Sequence, residues 1–263
     1  MSSHNLTESE IKAALREIPL GGLRFFPTIG STNDEALAWA TDGARDFSLV
    51  IAEKQTSGRG RMGRKWFTPP GAALAFSLVL RPGTYERERI GLFSGLGALA
   101  LVGALRRYGV VAQVKWPNDV LVNRKKIAGI LVETTWLGND VDSVVLGMGV
   151  NVAPEAVPPP ELLNFPATCL QFEAPDAPPR LVLLKNLLEE LISTRAALAS
   201  ESFIRAWEAD LAFRGETVRV GLTETESVTG QLVGLETDGS LRVRTSAGTI
   251  QSVRFGEVHL RPL

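Results

Sequence analysis

This 263-residue chain has one cysteine, Cys169, and two histidines, His4 and His259. Zinc sites and serine- or cysteine-histidine catalysis therefore lack their parts. A lone cysteine forms no intrachain disulfide, which suits the cytoplasm, and Cys169 is expected as a small buried apolar residue. Excess charge is missing too. Lysine and arginine number 28 against 29 acids, a net charge of -1, which argues against a general nucleic-acid binder. No apolar run is long enough for a membrane span. The greasiest, Ile90 to Leu105, is broken by glycines and ends at Arg106-Arg107, so it reads as a buried core helix. Met1 to Thr7 is polar, without the layout of a signal peptide.

What remains is an ordinary enzyme-like composition, 44% hydrophobic and 22% charged, with ample material for a core. Thr7-Glu8-Ser9-Glu10 is a capping box opening a short helix, residues 7–18. Leu23 to Ile29 reads as a strand. Thr32-Asn33-Asp34-Glu35 reads as a second capping box, opening a helix to Gly43. Strands are expected at Phe47–Ala52 and Ala73–Leu80, a long helix at Glu86–Tyr108, and three strands at Ala112–Lys115, Lys126–Thr134 and Val141–Val152. Proline-rich loops (Ala153–Pro160, Ala174–Pro179) precede helices at Leu181–Leu198 and Glu201–Leu211. After Phe213 come short β runs, Val218–Val220, Ser227–Leu235, Ser240–Thr245 and Thr249–Phe255, with a hairpin signal at Asp238-Gly239. Fifty such residues suggest a small barrel.

One segment concentrates chemistry. Gly58-Arg59-Gly60-Arg61-Met62-Gly63-Arg64-Lys65-Trp66 holds three glycines, four cations beside a tryptophan, and no acid. Glycines admit a ligand close to the backbone, guanidinium groups grip phosphate or carboxylate oxygens, and an indole offers a stacking face. The segment satisfies G-x-G-x-x-G, but a strand follows it, so no helix N-terminus faces a pyrophosphate and the dinucleotide reading fails. An anion pocket is favoured over a solvated basic turn or an RNA-touching segment.

Other clusters are ambiguous alone. Lys115-Trp116-Pro117-Asn118-Asp119 could aim a cation and an acid into one cleft, and is equally a hydrogen-bonded turn. Arg124 to Glu133 has Gly129 inside a strand, room for a close approach, yet two lysines at its start, Lys125 and Lys126, read better as a protected sheet edge. Ser31-Thr32 reads as a helix cap. Gly147-Met148-Gly149-Val150-Asn151 reads as a β-bulge and turn.

Together, and in this order, these clusters resemble the biotin protein ligase family over nearly the whole chain. Ser31-Thr32-Asn33, Gln55 to Trp66, Lys115 to Asp119, Lys126 to Glu133 and Gly147 to Asn151 carry the resemblance. It implies an α+β fold: a class II synthetase-like mixed β-sheet catalytic domain with packed helices (1–212), then a small SH3-like β-barrel (213–263). It also implies a cytoplasmic, short, enzyme-only form without the DNA-binding domain of repressor-type members. Biotin and MgATP would give biotinyl-5'-AMP, and biotin would pass to a lysine of the biotin carboxyl carrier domain of acetyl-CoA carboxylase. The resemblance implies neither DNA nor membrane as partner, and fits a monomer or a homodimer.

By match to the family, Lys126, Arg61 and Asp119 are the catalytic candidates, with Asp119 the Mg2+ ligand. Biotin would meet Ser31, Thr32, Asn33, Gln55, Gly58, Arg59, Gly60, Arg61, Lys126 and Gly129. Arg64, Lys65, Lys115 and Asn118 would face phosphates, with Trp66, Asn151 and Arg261 near the adenosine. The glycine-arginine loop is expected to be mobile until ligand supplies counter-charge. The nearest alternative is a lipoate- or octanoate-protein ligase or transferase of the same fold, which lacks this arginine-rich loop paired with Lys-Trp-Pro-Asn-Asp.

Overall fold

The computed structural model describes residues 5–198, 200–222 and 225–254, and the backbone of 260–262. His4, Phe255, His259 and the side chain of Arg261 lie outside the described residues.

Helix α1 (Glu8–Ala14) has the capping box expected at Thr7 and Glu10. Seven residues are too few for a free-standing helix, so the burial of Ile11 and Leu15 holds it in place. The main sheet has seven strands in the order β1-β2-β3-β7-β6-β5-β4. These are β1 (Gly22–Phe26), β2 (Ser48–Ala52), β3 (Ala73–Leu80), β4 (Ala112–Lys115), β5 (Asp119–Val122), β6 (Lys125–Leu137) and β7 (Asp140–Asn151). Strands β1 and β2 run parallel and are joined through α2 (Thr32–Thr41), while every other pairing is antiparallel. The glycine-arginine loop joins two adjacent strands, β2 and β3, as the strand-loop-strand reading requires.

Side-chain alternation gives the sheet two faces. Across it, Lys115 pairs Asp119, Asp119 pairs Gly129, Gly129 pairs Gly149 and Gly149 pairs Ala75. Two residues along, Leu131, Gly147 and Ser77 form the next row on the same face. Helix α2 covers this face, with Ala36 and Ala40 packed on Val50, Val79 and Val145. The other face packs on α4 (Phe93–Arg106), which in turn packs on α6 (Arg180–Ala196).

Four expectations are corrected here. The long helix is three pieces: α3 (Thr84–Arg87), a 3-10 turn at Ile90–Leu92, and α4. Glu86 bonds the backbone of Gly83 and pairs with Arg195 at 2.7 Å, closing a one-turn helix, and continuous burial starts only near Leu92. Strand β5 was not expected. It begins inside the Lys-Trp-Pro-Asn-Asp motif and turns back at Asn123 and Arg124, both at positive φ (48° and 62°). Strand β6 is not an edge: it lies between β7 and β5. Gly147 and Gly149 are not in a bulge, since β7 pairs with β3 in regular register through both.

After α5 (Leu170–Glu173), α6 and α7 (Glu201–Ala209), five strands form an antiparallel sheet in the order β11-β10-β9-β8-β12. They are β8 (Thr217–Gly221), β9 (Ser227–Leu235), β10 (Leu241–Arg244), β11 (Ile250–Val253) and β12 (Leu260–Pro262), the last unforeseen. Asp238-Gly239 makes the β9–β10 turn, Gly239 at φ 82°. This sheet touches the main one at functional-looking places. The indole N–H of buried Trp116 donates to Gly239 O at 2.9 Å, and Arg124 forms a two-pronged pair with Glu216 at 2.9 and 3.0 Å. Among the described residues no helix is long and apolar enough to cross a membrane.

Candidate active site

The glycine-arginine loop folds as a small hairpin. Trp66 N donates to Gly58 O at 2.8 Å, Gly60 N donates to Arg64 O at 2.6 Å, and Arg59 bridges Lys65. Its tip is a 3-10 turn, Arg61–Gly63, with Met62 and Gly63 at positive φ. This hairpin lies over the glycine rows of β6 and β7. A Cβ on Gly129 would touch Trp66 Cζ3 at 3.3 Å, and one on Gly149 would stand 2.8 Å from Trp66 Cζ2. The glycines form a flat floor for the indole. Trp66 Nε1 is buried there with no hydrogen-bond partner. A buried donor left unpaired costs about 1–3 kcal/mol, so the position is poised for an acceptor.

Two cavities meet at this floor. The first is walled by Ser31, Thr32, Asn33 and Gln55 on one side and by Arg59, Gly60 and Arg61 on the other, with Gly129 beneath. The second is walled by Arg64, Lys65, Lys115, Asn118 and Asn151, with Phe165 opposite. Arg64, Trp66, Asn118, Asp119 and Lys126 line both. Gly58 lines neither, being buried beneath the hairpin. Arg261 lies in β12, paired with Arg219 of β8.

Polar contacts fix the first wall. Ser31 is the N-cap of α2 but makes no side-chain cap bond, and Thr32 and Asn33 lie within the helix. The second capping box is therefore not formed. Thr32 N and Oγ1 both donate to Gln55 Oε1 (2.8 and 3.1 Å), and Ser77 Oγ donates to Asn33 Oδ1 at 2.6 Å. Long-range partners on β3 and the loop stem have pulled these side chains inward. Asn33 rests where Gly147 leaves space, since a Cβ on Gly147 would stand 2.7 Å from Asn33 Cγ and closer to Oδ1.

Charge concentrates where the cavities meet. Lys126 Nζ lies 2.6 Å from Asp119 Oδ1 and 5.5 Å from the Trp66 ring centre. Lys115 Nζ lies 3.5 Å from Asp119 Oδ2. Burial alone would raise the Asp119 carboxyl, but the charges of Lys126 and Lys115 outweigh it and hold the group below the usual carboxylate range. Burial pushes Arg61 down from its ordinary value, with the charge of Arg64 acting in the same direction and Asp119 against it. Arg61 also reaches Asn118 Oδ1 at 3.4 Å, and Asn118 is pinned by Nδ2 to Ile130 O at 2.9 Å.

Among the described residues no three carboxylates, histidines or cysteines gather as a metal site. Asp119 is the counter-ion of two lysines, a donor set unsuited to a resident Mg2+.

Sequence reasoning missed Phe165 and Ala167, which wall the second cavity. Residues 166–168 pair with the start of β6, Lys126 N donating to Pro166 O (2.7 Å) and Thr168 N to Lys126 O (2.9 Å). This pairing brings Phe165 to 5.0 Å from Lys115 Nζ. It also missed Glu133, which bonds Arg59 and Asn33. Nothing in the local sequence of either segment signals those distant partners.

Residues 25–151 match the model of the Biotin/lipoate A/B protein ligase family, and residues 213–261 match the Biotin protein ligase C terminal domain. The biotin–[acetyl-CoA-carboxylase] ligase of Paracoccus denitrificans is 35% identical over 232 residues, 83% of this chain and 92% of that protein. The chain belongs to the biotin protein ligase family. Another biotin protein ligase relative, the bifunctional ligase/repressor BirA of Escherichia coli (strain K12), is 32% identical over 254 residues, 95% of this chain and 77% of its own length. Among solved structures, a biotin protein ligase from Aquifex aeolicus in complex with biotin and ATP aligns with a TM-score of 0.79 at 28% identity. The alignment covers 92% of this chain and 99% of that one. The first match, 25–151, includes Ser31, Gln55, the glycine-arginine loop, Lys126 and Asn151 but stops short of Phe165, and the second covers nearly all of the C-terminal sheet.

Proposed function

We propose that this chain activates biotin with MgATP to biotinyl-5'-AMP and transfers biotin to one lysine of a biotin carboxyl carrier domain of acetyl-CoA carboxylase. One observation carries the reading: a cavity with an uncharged polar wall and a cavity with cationic and aromatic walls meet at Lys126. A ligand with a polar neutral head and a carboxylate tail suits the first, and a nucleoside triphosphate suits the second.

In the first step a biotin carboxylate oxygen attacks the α-phosphorus and the bond to the β-phosphate oxygen breaks, releasing pyrophosphate. Both reactants are anions, so fixed cations must offset their repulsion and align the attack. Lys126 exchanges Asp119 for the substrate oxygens, and Arg61 stabilises the charge from the loop side. Asp119 keeps Lys126 and Lys115 close together before substrate arrives. Thr32, Asn33 and Gln55 bond the ureido ring, while Arg64, Lys65, Lys115 and Asn118 face the phosphates. Trp66, Phe165 and Asn151 border the nucleoside, and Arg261 is the remaining adenosine candidate. In the second step the neutral lysine amine attacks the acyl carbon, AMP leaves with the bonding pair, and the amine sheds its proton. The domain division proposed is 1–212 for this chemistry and 213–263 for the C-terminal sheet.

The test is direct: protein, MgATP and a carrier domain are incubated with biotin, or with lipoate or octanoate. A biotin-sized mass gain on one carrier lysine, with no gain from the other two acids, is expected. A polar wall built for a ureido ring leaves its bonding groups unpaired against an aliphatic acid, a cost that discriminates strongly. Equal labelling by lipoate would overturn the substrate, and no labelling by any acid would overturn the reaction.

A further inference from the structure

We propose that Glu133 is a positioning residue that couples recognition of the biotin head to closure of the glycine-arginine loop; this rests on the function proposed above. Glu133 lies on β6 on the same face as Gly129 and Leu131, four residues beyond the floor. Its Oε2 accepts from Asn33 Nδ2 at 2.8 Å. Its two oxygens also accept from the guanidinium of Arg59, Oε1 from Nη1 at 3.0 Å and Oε2 from Nη2 at 2.8 Å. Arg59 Nη2 bonds Asp34 Oδ1 as well, at 2.6 Å, so the loop is clasped to both α2 and β6.

The clasp is one end of a longer chain of bonds. Gln55, in the loop's first stem, donates from Nε2 to Thr68 Oγ1 in the second stem at 3.1 Å. Gln55 accepts from Thr32, the Ser77 hydroxyl lies 2.8 Å from Thr32 Oγ1 and donates to Asn33, and Asn33 donates to Glu133. Both stems of the loop are thus tied to one network whose middle members, Thr32, Asn33 and Gln55, wall the first cavity. A ligand head bonding those members fixes Asn33, hence the Glu133 carboxylate, hence Arg59. A bidentate guanidinium–carboxylate pair holds direction as well as distance, which suits a latch. The carboxylate neither lines the cavities nor meets the reacting atoms, so it acts through Asn33 and Arg59.

Glu133→Gln keeps the shape but loses the charge and one acceptor oxygen. The rate at which biotinyl-5'-AMP escapes from the enzyme should rise roughly ten- to a hundred-fold, the loss of one or two charge-assisted bonds. The KM for biotin should rise with it, while the KM for ATP stays near wild type. Arg59→Gln, on the exposed loop, should reproduce the effect, and the double variant should add little to either alone. Should Glu133→Gln fold poorly, Glu133→Asp, which keeps the charge but shortens the reach to Arg59 and Asn33, carries the test, since unlike Arg59 this side chain lines neither cavity. Wild-type retention of the adenylate in Arg59→Gln, or equal rises in both KM values with a lowered melting temperature in Glu133→Gln, would overturn the proposal. Wild-type enzyme run alongside separates the readings: if it makes no adenylate, the proposed function fails first.

Discussion

Alanine at Gly147 would put a methyl group where Asn33 now rests. Neither Gly147 nor Gly149 adopts a positive φ, so alanine fits the backbone and any penalty is steric. The Gly147 Cβ would stand 2.7 Å from Asn33 Cγ, inside any real carbon contact. Asn33 cannot yield freely: it is 4% exposed and bonded to Ser77, Glu133 and Leu131 O. Overpacking costs about 1–3 kcal/mol, and loosening these bonds adds about 0.5–1.5 kcal/mol each. A loss of roughly 3 kcal/mol, or about 6–12 °C in melting temperature, is expected with a collapse of biotin affinity. Gly149→Ala makes an instructive contrast. Its Cβ meets Trp66, the end of a movable loop, so the indole lifts and stability falls by under about 1 kcal/mol. Affinity for both nucleotide and biotin should fall, since Trp66 borders both cavities. Scanning calorimetry and titration calorimetry with each ligand read both variants. Unchanged melting temperature and biotin affinity in Gly147→Ala would refute the idea that this glycine makes room for Asn33.

Further outcomes follow from the same geometry. Trp116→Phe keeps the buried bulk but strands the Gly239 carbonyl, which should cost about 1–3 kcal/mol and raise the KM for ATP more than that for biotin; equal KM values for wild type and variant would contradict it. Asp119 has a depressed folded-state pKa, so its stabilising contribution is complete above the ordinary carboxylate value and is lost as pH falls through the lower folded value. The stability gap between wild type and Asp119→Asn should therefore stay constant above about pH 5 and shrink on acidification below about pH 4, read by thermal melts across pH. Trypsin should cut after Arg61 or Arg64 more slowly with biotin and a nucleotide bound than without, because bound anions neutralise like charges on the hairpin; equal cutting rates would count against ligand-driven closure.

Local signals carried much of this molecule into view before its fold was known. The Thr7–Glu10 capping box, β3 at Ala73–Leu80 and the Asp238-Gly239 turn formed where local chemistry put them. The Gly58–Trp66 segment lies between two strands, as its apolar flanks require. What escaped depended on distant partners. Thr32 and Asn33 carry a cap signal, yet Gln55, Ser77 and Glu133 take their side chains. Gly147 and Gly149 look like a bulge until Asn33 and Trp66 are seen to fill their space. The turn at Asn123-Arg124 is left-handed at both residues, but arginine there gives no glycine-like signal. Lysines at the start of β6 suggest an edge, whereas β5, only four residues long, covers it.

The central claim is that Lys126 stands at the junction of the two cavities to neutralise a carboxylate meeting a phosphate. Biotin-dependent exchange of labelled pyrophosphate into ATP measures that step alone. Lys126 lies near the start of β6 and is part-exposed, so Lys126→Ala should keep the fold, with stability reduced because buried Asp119 retains only Lys115 as counter-ion. The exchange rate should fall by roughly a hundred-fold or more, the scale of losing a fixed charge at a reacting centre. A well-folded Lys126→Ala protein that exchanges pyrophosphate at the wild-type rate would contradict the account.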